Sequence, residues 1–368
     1  MPKTEKADYK LLGYFAILLV FGLIMLTSAG SAVGYEKFGD SYFFIKRQLL
    51  FGVLPGLFLF FFFSKLDYRV LKRWSTIIYV LSIILLLLVF VPNMGSAYGT
   101  NAKSWLVLFG HSFQPAEIAK LAMIIFISTL ISKKSKQLLD LKEGFLPVLG
   151  IGIIPIALVV LQPDIGTVSI LFAILFALLF VGRAKLSHII GLAGAGITAL
   201  VIMIMAAPYR AARFMTFLHP ELDPQGVGYH INQAFLAIGS GGILGRGMGH
   251  SLQKFQYLPE VAADSIFAII AEEMGFIFVV GLIILLILIA KRGFVIAKNS
   301  GDEFGRLLVS GIIIWFVVQS FMNISAMVGT MPLTGVPLPF ISHGGTALAI
   351  AMGAVGIVVR VSKSAQKS

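Results

Sequence analysis

The sequence predicts an all-α membrane protein of about ten transmembrane helices, with a large extracytoplasmic loop between the seventh and the eighth. Three observations predict it. Of 368 residues, 58% are hydrophobic and only 12% charged, whereas a soluble domain carries roughly a quarter of its residues as Asp, Glu, Lys and Arg. Apolar runs long enough to cross a bilayer core, roughly 20 residues each, recur from end to end. The basic residues also alternate between rich and poor connecting segments, as the segments on the two sides of a membrane do.

Taken in order, the polar segment MPKTEKADYK leads into the first run, Leu11–Gly30. No small-residue cleavage site follows that run, so it reads as a retained helix rather than a removed signal peptide. The second to fourth spans are Gln48–Ser64, Thr76–Val91 and Glu117–Ser132, the last carrying Glu117 and Lys120 behind a helix-starting Pro115. Phe145–Leu161, Ile165–Gly182 and Ser187–Ala207 follow, then Ser265–Ala290, Arg306–Val328 and Gly345–Val361. The whole chain, 1–368, reads as one polytopic membrane domain, without a convincing internal repeat.

Ten spans place both termini on one side. With the N-terminus in the cytoplasm, 20 of the 29 Lys and Arg fall inside and eight outside, with Lys120 in a span. That bias sets the orientation. It also accounts for most of the net charge of +12 as topology signal beside anionic lipid rather than a nucleic-acid surface. The absence of cysteine excludes disulfides, thiolate metal sites and cysteine nucleophiles. The longest inside segment, about 15 residues, is too short for a catalytic domain. Function is therefore expected outside, where residues 208–264 form one loop of 57 residues dense in Gly, Pro, His, Arg and Asp.

Ionisable groups at membrane depth are costly and are usually paired or functional. Asp264 closes the long loop and opens the eighth span, where it would either cap the helix or use the positive dipole end for chemistry. Glu272 and Glu273 are about 100° apart on that helix, so they are not expected to face one partner, and an ion pair to another helix is the expected role of at least one. Glu117 and Lys120 have the i,i+3 spacing of a local ion pair. Asp164, in LQPDIGT, either caps the sixth helix or binds a cation. Arg210 and Arg213 in PYRAARF suit either phosphate recognition or snorkelling to headgroups. GSGGILGRGMG (239–249) lacks the ending of a nucleotide loop, and close packing against helices explains its glycines better. PLPFISHGG (337–345) reads as a re-entrant turn leading into the last span, permitted at depth only when packed in protein or lining a cavity.

The stretch YHINQAFLAIGSGGILGRGMGHSLQKFQYLPEVAADSIFAIIAEEMGF (229–276) resembles the signature of the SEDS (shape, elongation, division and sporulation) family. FQPAEIAKL, LQPDIGT, RFMTFLHPELDPQGVGYH and GTMPLTGVPLPFISHGG support it in the family's order, and QKFQYLPE with AIIAEE is closer to the division members than to the elongation members. The resemblance implies polymerisation of lipid II, the undecaprenyl-pyrophosphate-linked disaccharide peptide, into peptidoglycan glycan strands at the outer face of the cytoplasmic membrane. It also implies a class B penicillin-binding protein and other division proteins as partners. It places the essential aspartate on Asp264. Substrate-binding positions are expected at Lys103, Glu117, Lys120, Asp164, Arg210, Arg213, Gln253, Lys254, Glu260 and His343. Gln162, Gln319 and Asn323 are expected as interior polar residues. A divalent cation, Mg or Mn, is a candidate cofactor. Three departures stand out: Ala262-Ala263 replace the usual His-Thr, His343 replaces the usual Tyr, and Lys103-Ser104 replaces a basic pair. Readings from other classes are a lipid II flippase, with its polar groups running through the full depth, and a non-catalytic scaffold for the penicillin-binding protein.

Overall fold

The computed structural model describes residues 7–365 except 93, 97–103, 109–110, 207 and 224. In order, its helices are α1 Tyr9–Phe38, α2 Phe43–Lys65, α3 Tyr68–Leu88, α4 Pro115–Lys133, α5 Leu141–Leu161 and α6 Ile165–Val181. There follow α7 Leu186–Met205, α8 Pro208–Leu218, α9 Val227–Gly241, α10 Ile266–Lys298, α11 Glu303–Met327 and α12 Gly345–Ala365. Among the described residues nine helices have the length and apolar composition to cross a membrane, and the 17-residue α6 is a tenth, slightly shorter one. This is a multi-pass membrane protein with the ten spans the sequence predicts.

Three boundaries move most. The first helix runs past Gly30 to Phe38. The third helix starts at Tyr68 rather than Thr76, because Asp67 caps it by accepting from the Arg69 N–H. The eighth span runs on to Lys298, carrying its basic tail beyond the apolar stretch. Inside α2 and α5 lie π-helical turns, Leu49–Val53 and Leu141–Phe145. Each is followed two residues later by proline, Pro55 and Pro147, whose ring clashes with a carbonyl one turn back and widens the helix there.

The regions expected as loops contain structure. Residues 95–113 hold a three-stranded antiparallel sheet, Gly95–Ser96, Trp105–Leu108 and His111–Phe113. About half of the 208–264 loop is helical, in α8, α9 and a short 3-10 turn between them. The core is formed by α4, α11 and α12, most of whose residues are buried in protein, whereas α7 presents nearly all of its side chains outward. The charges on α4 thus sit in the centre of the bundle rather than against lipid.

The helix ends that carry the basic residues meet at one end of the bundle. Arg292 pairs with Asp8 at 2.7 Å, and Arg69 with Asp302 at 3.2 Å. At the other end the chain re-enters. Residues 329–344 fold back without regular structure and bury Val336, Leu338, Phe340 and Ile341. Gly22, roughly 20 Å along α1 at 1.5 Å per residue, has no room for a Cβ because the Phe340 carbonyl lies against it. The re-entrant segment therefore reaches deep into the bundle, walled by protein as expected.

Candidate active site at the mouth of the bundle

The segment before α10 is fixed by three consecutive carbonyls, each accepting from a different donor. The His343 N–H donates to Ala262 O at 2.8 Å, the Ser342 hydroxyl to Ala263 O at 2.6 Å and the Asn323 amide to Asp264 O at 2.7 Å. Asn323 also donates to Val336 O at 2.8 Å. One turn deeper on α11, Gln319 donates to Pro337 O at 2.9 Å and accepts from Lys120 Nζ at 2.8 Å and from the Trp315 indole at 2.7 Å. The main chain of Asp264 is thus locked between α11 and the re-entrant turn.

One oxygen of its side chain is left without a partner. The N-cap of α10 is Ser265, not Asp264, and no side chain caps the helix. The residue is half-buried, yet Oδ1 is sealed from water with no hydrogen-bond partner. Burial first, and the nearby charge of Glu260 second, push the Asp264 carboxyl up to about 7. The N–H groups of Asp264 and Ser265 and the charge of Arg213 pull the other way. Glu260 is exposed and sits at φ +51, its carbonyl accepting from the Ala263 and Ser265 N–H groups. The geometry gives the capping role no bond.

His230, on α9, lies 2.6 Å through Nε2 from the Ser265 hydroxyl. Burial, aided by Arg213, holds it down at about 4 and keeps the ring neutral. Arg213 therefore acts electrostatically on both His230 and Asp264. Arg210 turns instead to the end of α7, donating to Met203 O at 3.2 Å. The sequence treated these two arginines alike, and the structure separates them. His230, Ser265 and Ser342 were missed as site residues, because a serine or histidine inside a motif carries no signal of its own without its partner.

The remaining expected residues divide. Glu117 and Lys120 form a buried pair at 2.9 Å beneath the 336–339 turn, with Lys120 Nζ 4.8 Å from the Trp315 ring centre. Asp164 caps α6, accepting from the Thr167 N–H at 3.0 Å and its hydroxyl at 2.8 Å. Gln162 is buried and donates to Leu86 O at 3.1 Å. The ring of His343 stacks edge-on against Phe44, 5.2 Å between centres, and burial with the charge of Arg47 holds it at about 4. Lys103 lies outside the described residues.

Lys254 does not face the mouth. It is buried, pairs with Glu273 at 2.8 Å and donates to Gly249 O at 2.7 Å. Gln253 is drawn into the same knot through its N–H, 3.3 Å from Glu272. Glu272 and Glu273 meet different principal partners, as expected, but the ion-pair partner Lys254 lies in the outer loop rather than on another helix. Glu272 accepts from the Ser251 hydroxyl at 2.5 Å and the Leu252 N–H at 2.9 Å, and Glu273 accepts from Ser28 on α1 and from Lys254. One loop wraps the helix widely enough to meet both directions.

That wrapping explains the glycines. α10 breaks at Gly275, with φ 76. The groups freed by the break pair with the irregular 242–247 segment: Arg246 and Gly247 N–H donate to Glu272 O and Glu273 O at 2.9 and 3.0 Å, and Phe276 N–H donates to Gly242 O at 2.9 Å. A Cβ at Gly241, Gly245 or Gly275 would strike that opposing backbone. The run is a packing device, as its lack of a nucleotide ending suggested.

A cell cycle protein family model, that of FtsW, RodA and SpoVE, matches residues 9–367. The chain belongs to this family. Stage V sporulation protein E of Bacillus subtilis is 38% identical over 361 residues, 98% of each chain. A "probable peptidoglycan glycosyltransferase FtsW" of Geobacter is 35% identical over 362 residues, again 98% of each. Among solved structures, one described as "structural coordination of polymerization and crosslinking by a peptidoglycan synthase complex" superposes with a TM-score of 0.80 at 26% identity, covering 99% of both chains. The rod shape determining protein RodA of Thermus thermophilus superposes with a TM-score of 0.71 at 27% identity, covering 97% of both. The SEDS resemblance read from the motifs is thereby confirmed.

Proposed function

We propose that this SEDS protein is a peptidoglycan glycosyltransferase that polymerises lipid II at the outer face of the cytoplasmic membrane, with Asp264 as general base. The observation that carries the residue assignment is the carboxylate of Asp264: its main chain is locked from two elements while Oδ1 keeps no partner. A base must be held in place and still be free to accept. Asp264 takes the proton of the GlcNAc 4-hydroxyl of the acceptor. That oxygen then bonds to the donor's anomeric carbon as the bond to the pyrophosphate oxygen breaks. A carboxyl raised to about 7 is close to half ionised at neutral pH, a range that suits a general base.

Arg213 offsets the charge of the leaving pyrophosphate; its fork geometry suits phosphate oxygens. Among the described residues no group of three His, Asp or Glu stands together as a ready metal site. Asp264 and Glu260 do fit the mode in which a hard cation takes one or two carboxylates and completes its shell with substrate phosphates and water. Such an ion, held there by those two residues, would add positive charge at the pyrophosphate. The polar groups at depth, Glu117–Lys120 and Glu273–Lys254, are closed buried pairs, which supports the enzyme reading over a transport path.

The relatives named FtsW, and the peptidoglycan synthase complex among the structural neighbours, support a division role beside a class B penicillin-binding protein. The positive-inside bias supports cytoplasmic termini, and the chain is read as one domain. The test is polymerisation of purified lipid II by the protein with its partner. Asp264→Asn is expected to lower the rate by roughly 10²–10⁴, the usual worth of a positioned acid–base group, with normal membrane insertion. A near-normal rate overturns the assignment.

A further inference from the structure

Asp264 is held by the re-entrant turn, and something must hold the turn. Ser342 and His343 donate to the carbonyls of Ala263 and Ala262, and Ser342 Oγ also accepts from the Leu338 N–H at 2.8 Å. On their far side lies Gln48 of α2, buried to 1% exposure. Its amide grips the turn as a neighbouring strand would. Nε2 donates to Ser342 O at 3.2 Å, and Oε1 accepts from the Gly344 N–H at 2.9 Å.

The helix is shaped to bring Gln48 there. The π turn Leu49–Val53 begins at the next residue, and the Leu54 N–H reaches back five residues to Leu49 O. One inserted residue rotates the helix beyond it by about 100° relative to an unbroken helix. The turn thus sets the direction of Gln48 independently of the face that carries Gly52 and Gly56. Those two glycines seat α2 tightly on α12: a Cβ at Gly52 would lie 3.1 Å from Leu348, and Gly56 leaves room only for Met352. The Phe44 ring, one turn outward, meets the His343 ring. π turns recur at functional sites in helices, and this one follows directly on Gln48.

We propose that Gln48 is a positioning residue for the reaction at Asp264, acting through the 342–344 turn. The proposal rests on the reading of Asp264 as the base. Without the amide, the Ser342 carbonyl and the Gly344 N–H lose their partner, the turn relaxes outward, and the peptide before Asp264 follows it. A displacement of about 1 Å at a reacting group is enough to cost on the order of 10²-fold in rate.

The experiment is a double-mutant cycle on the full-length protein with its penicillin-binding partner, polymerising purified lipid II. Gln48→Met keeps the side-chain length and removes both hydrogen bonds. It is expected to lower kcat about 10- to 100-fold with KM nearly unchanged. Gln48→Glu keeps the acceptor for Gly344 and should fall between Met and Gln. Ser342→Ala cuts the same relay at its next link and should reproduce the Gln48→Met pattern, which keeps the test open if Gln48→Met folds poorly. In an Asp264→Asn background neither change should slow the residual rate further. A normal kcat in Gln48→Met and Ser342→Ala, or the same fold loss repeated in the Asp264→Asn background, overturns the proposal alone. A near-normal rate for Asp264→Asn by itself overturns the base reading and the proposal with it.

Discussion

The side-chain amide of Asn323 bridges two main-chain carbonyls, Asp264 O at 2.7 Å and Val336 O at 2.8 Å, and so ties the start of α10 to the re-entrant turn through α11. Only a donor serves there. Asn323→Asp, nearly identical in shape, sets a carboxylate oxygen against two carbonyl oxygens in a buried site. Leaving buried polar groups unsatisfied costs about 1–3 kcal/mol each. Asn323→Asp is therefore expected to lower the melting temperature in detergent and abolish polymerisation, and Asn323→Ala to do so less severely. Equal melting temperatures for Asn323→Asp and the parent would refute the bridge.

The raised carboxyl of Asp264 makes a pH prediction with a definite sign. The base works ionised, so polymerisation should rise with pH through about 7 and level off above it. Stability runs the other way. The unfolded chain releases this proton near 3.8 and the folded chain near 7, so the fold is penalised increasingly across that window. Asp264→Asn removes the penalty. It should melt at a higher temperature than the parent at pH 8, with the gap closing toward pH 4. A gap that does not change with pH would mean the carboxyl is not held up by its surroundings.

Glu273 and Lys254 are each buried and pair at 2.8 Å, beside Ser28 of α1. Removing one partner from such a pair strands a charge and costs about 3–5 kcal/mol, whereas removing both is often tolerated. Lys254→Met and Glu273→Gln should each reduce the yield of folded protein sharply, and the double variant should recover most of it. A double variant worse than either single one would show that the pair is not coupled.

How much of this was legible in advance depends on the kind of signal. The ten spans were, because a bilayer imposes a length and a composition that any helix must meet. Asp264 as the candidate base was singled out by its surrounding motif, which is specific to the family. The helices α8 and α9 were not: their residues are too polar for a spanning pattern. The partnership of Gln48 with Gly344, nearly three hundred positions away, leaves no local trace, nor does that of His230 with Ser265. Lys254 was misplaced for the opposite reason. A lysine in an outer loop reads as exposed until the carboxylate that buries it is seen.

Orientation is open to a direct test in a chain without cysteine. Gln225 and Ser135 are both exposed, one between α8 and α9 and the other between α4 and α5. With both termini in the cytoplasm, Gln225→Cys should label with a membrane-impermeant maleimide on intact spheroplasts, and Ser135→Cys only after permeabilisation. Labelling of Ser135→Cys from outside would reverse the positive-inside assignment.

Arg213 and Arg210 give the sharpest contrast, because sequence alone ranks them as equals. Arg210 is engaged with the last turn of α7, donating to Met203 O at 3.2 Å, a contact that steadies the helix end. Arg213 is exposed and bears electrostatically on Asp264 and His230 at the mouth. Lysine keeps the charge and loses the planar fork, so it separates bidentate phosphate recognition from simple attraction. Arg213→Lys should lose polymerisation by roughly 10-fold or more, as expected when a charge-assisted contact of about 1.5–3 kcal/mol is weakened. Arg210→Lys should stay within about threefold of the parent, since lysine still reaches a carbonyl. Arg213→Ala tests the charge as well. Removing a cation that favours the carboxylate should move the pH midpoint of polymerisation upward, because Asp264 then holds its proton more tightly. A midpoint that stays in place while the rate falls would assign Arg213 to the pyrophosphate alone. If Arg213→Lys and Arg210→Lys both turned over normally, the headgroup-snorkelling role would account for the pair.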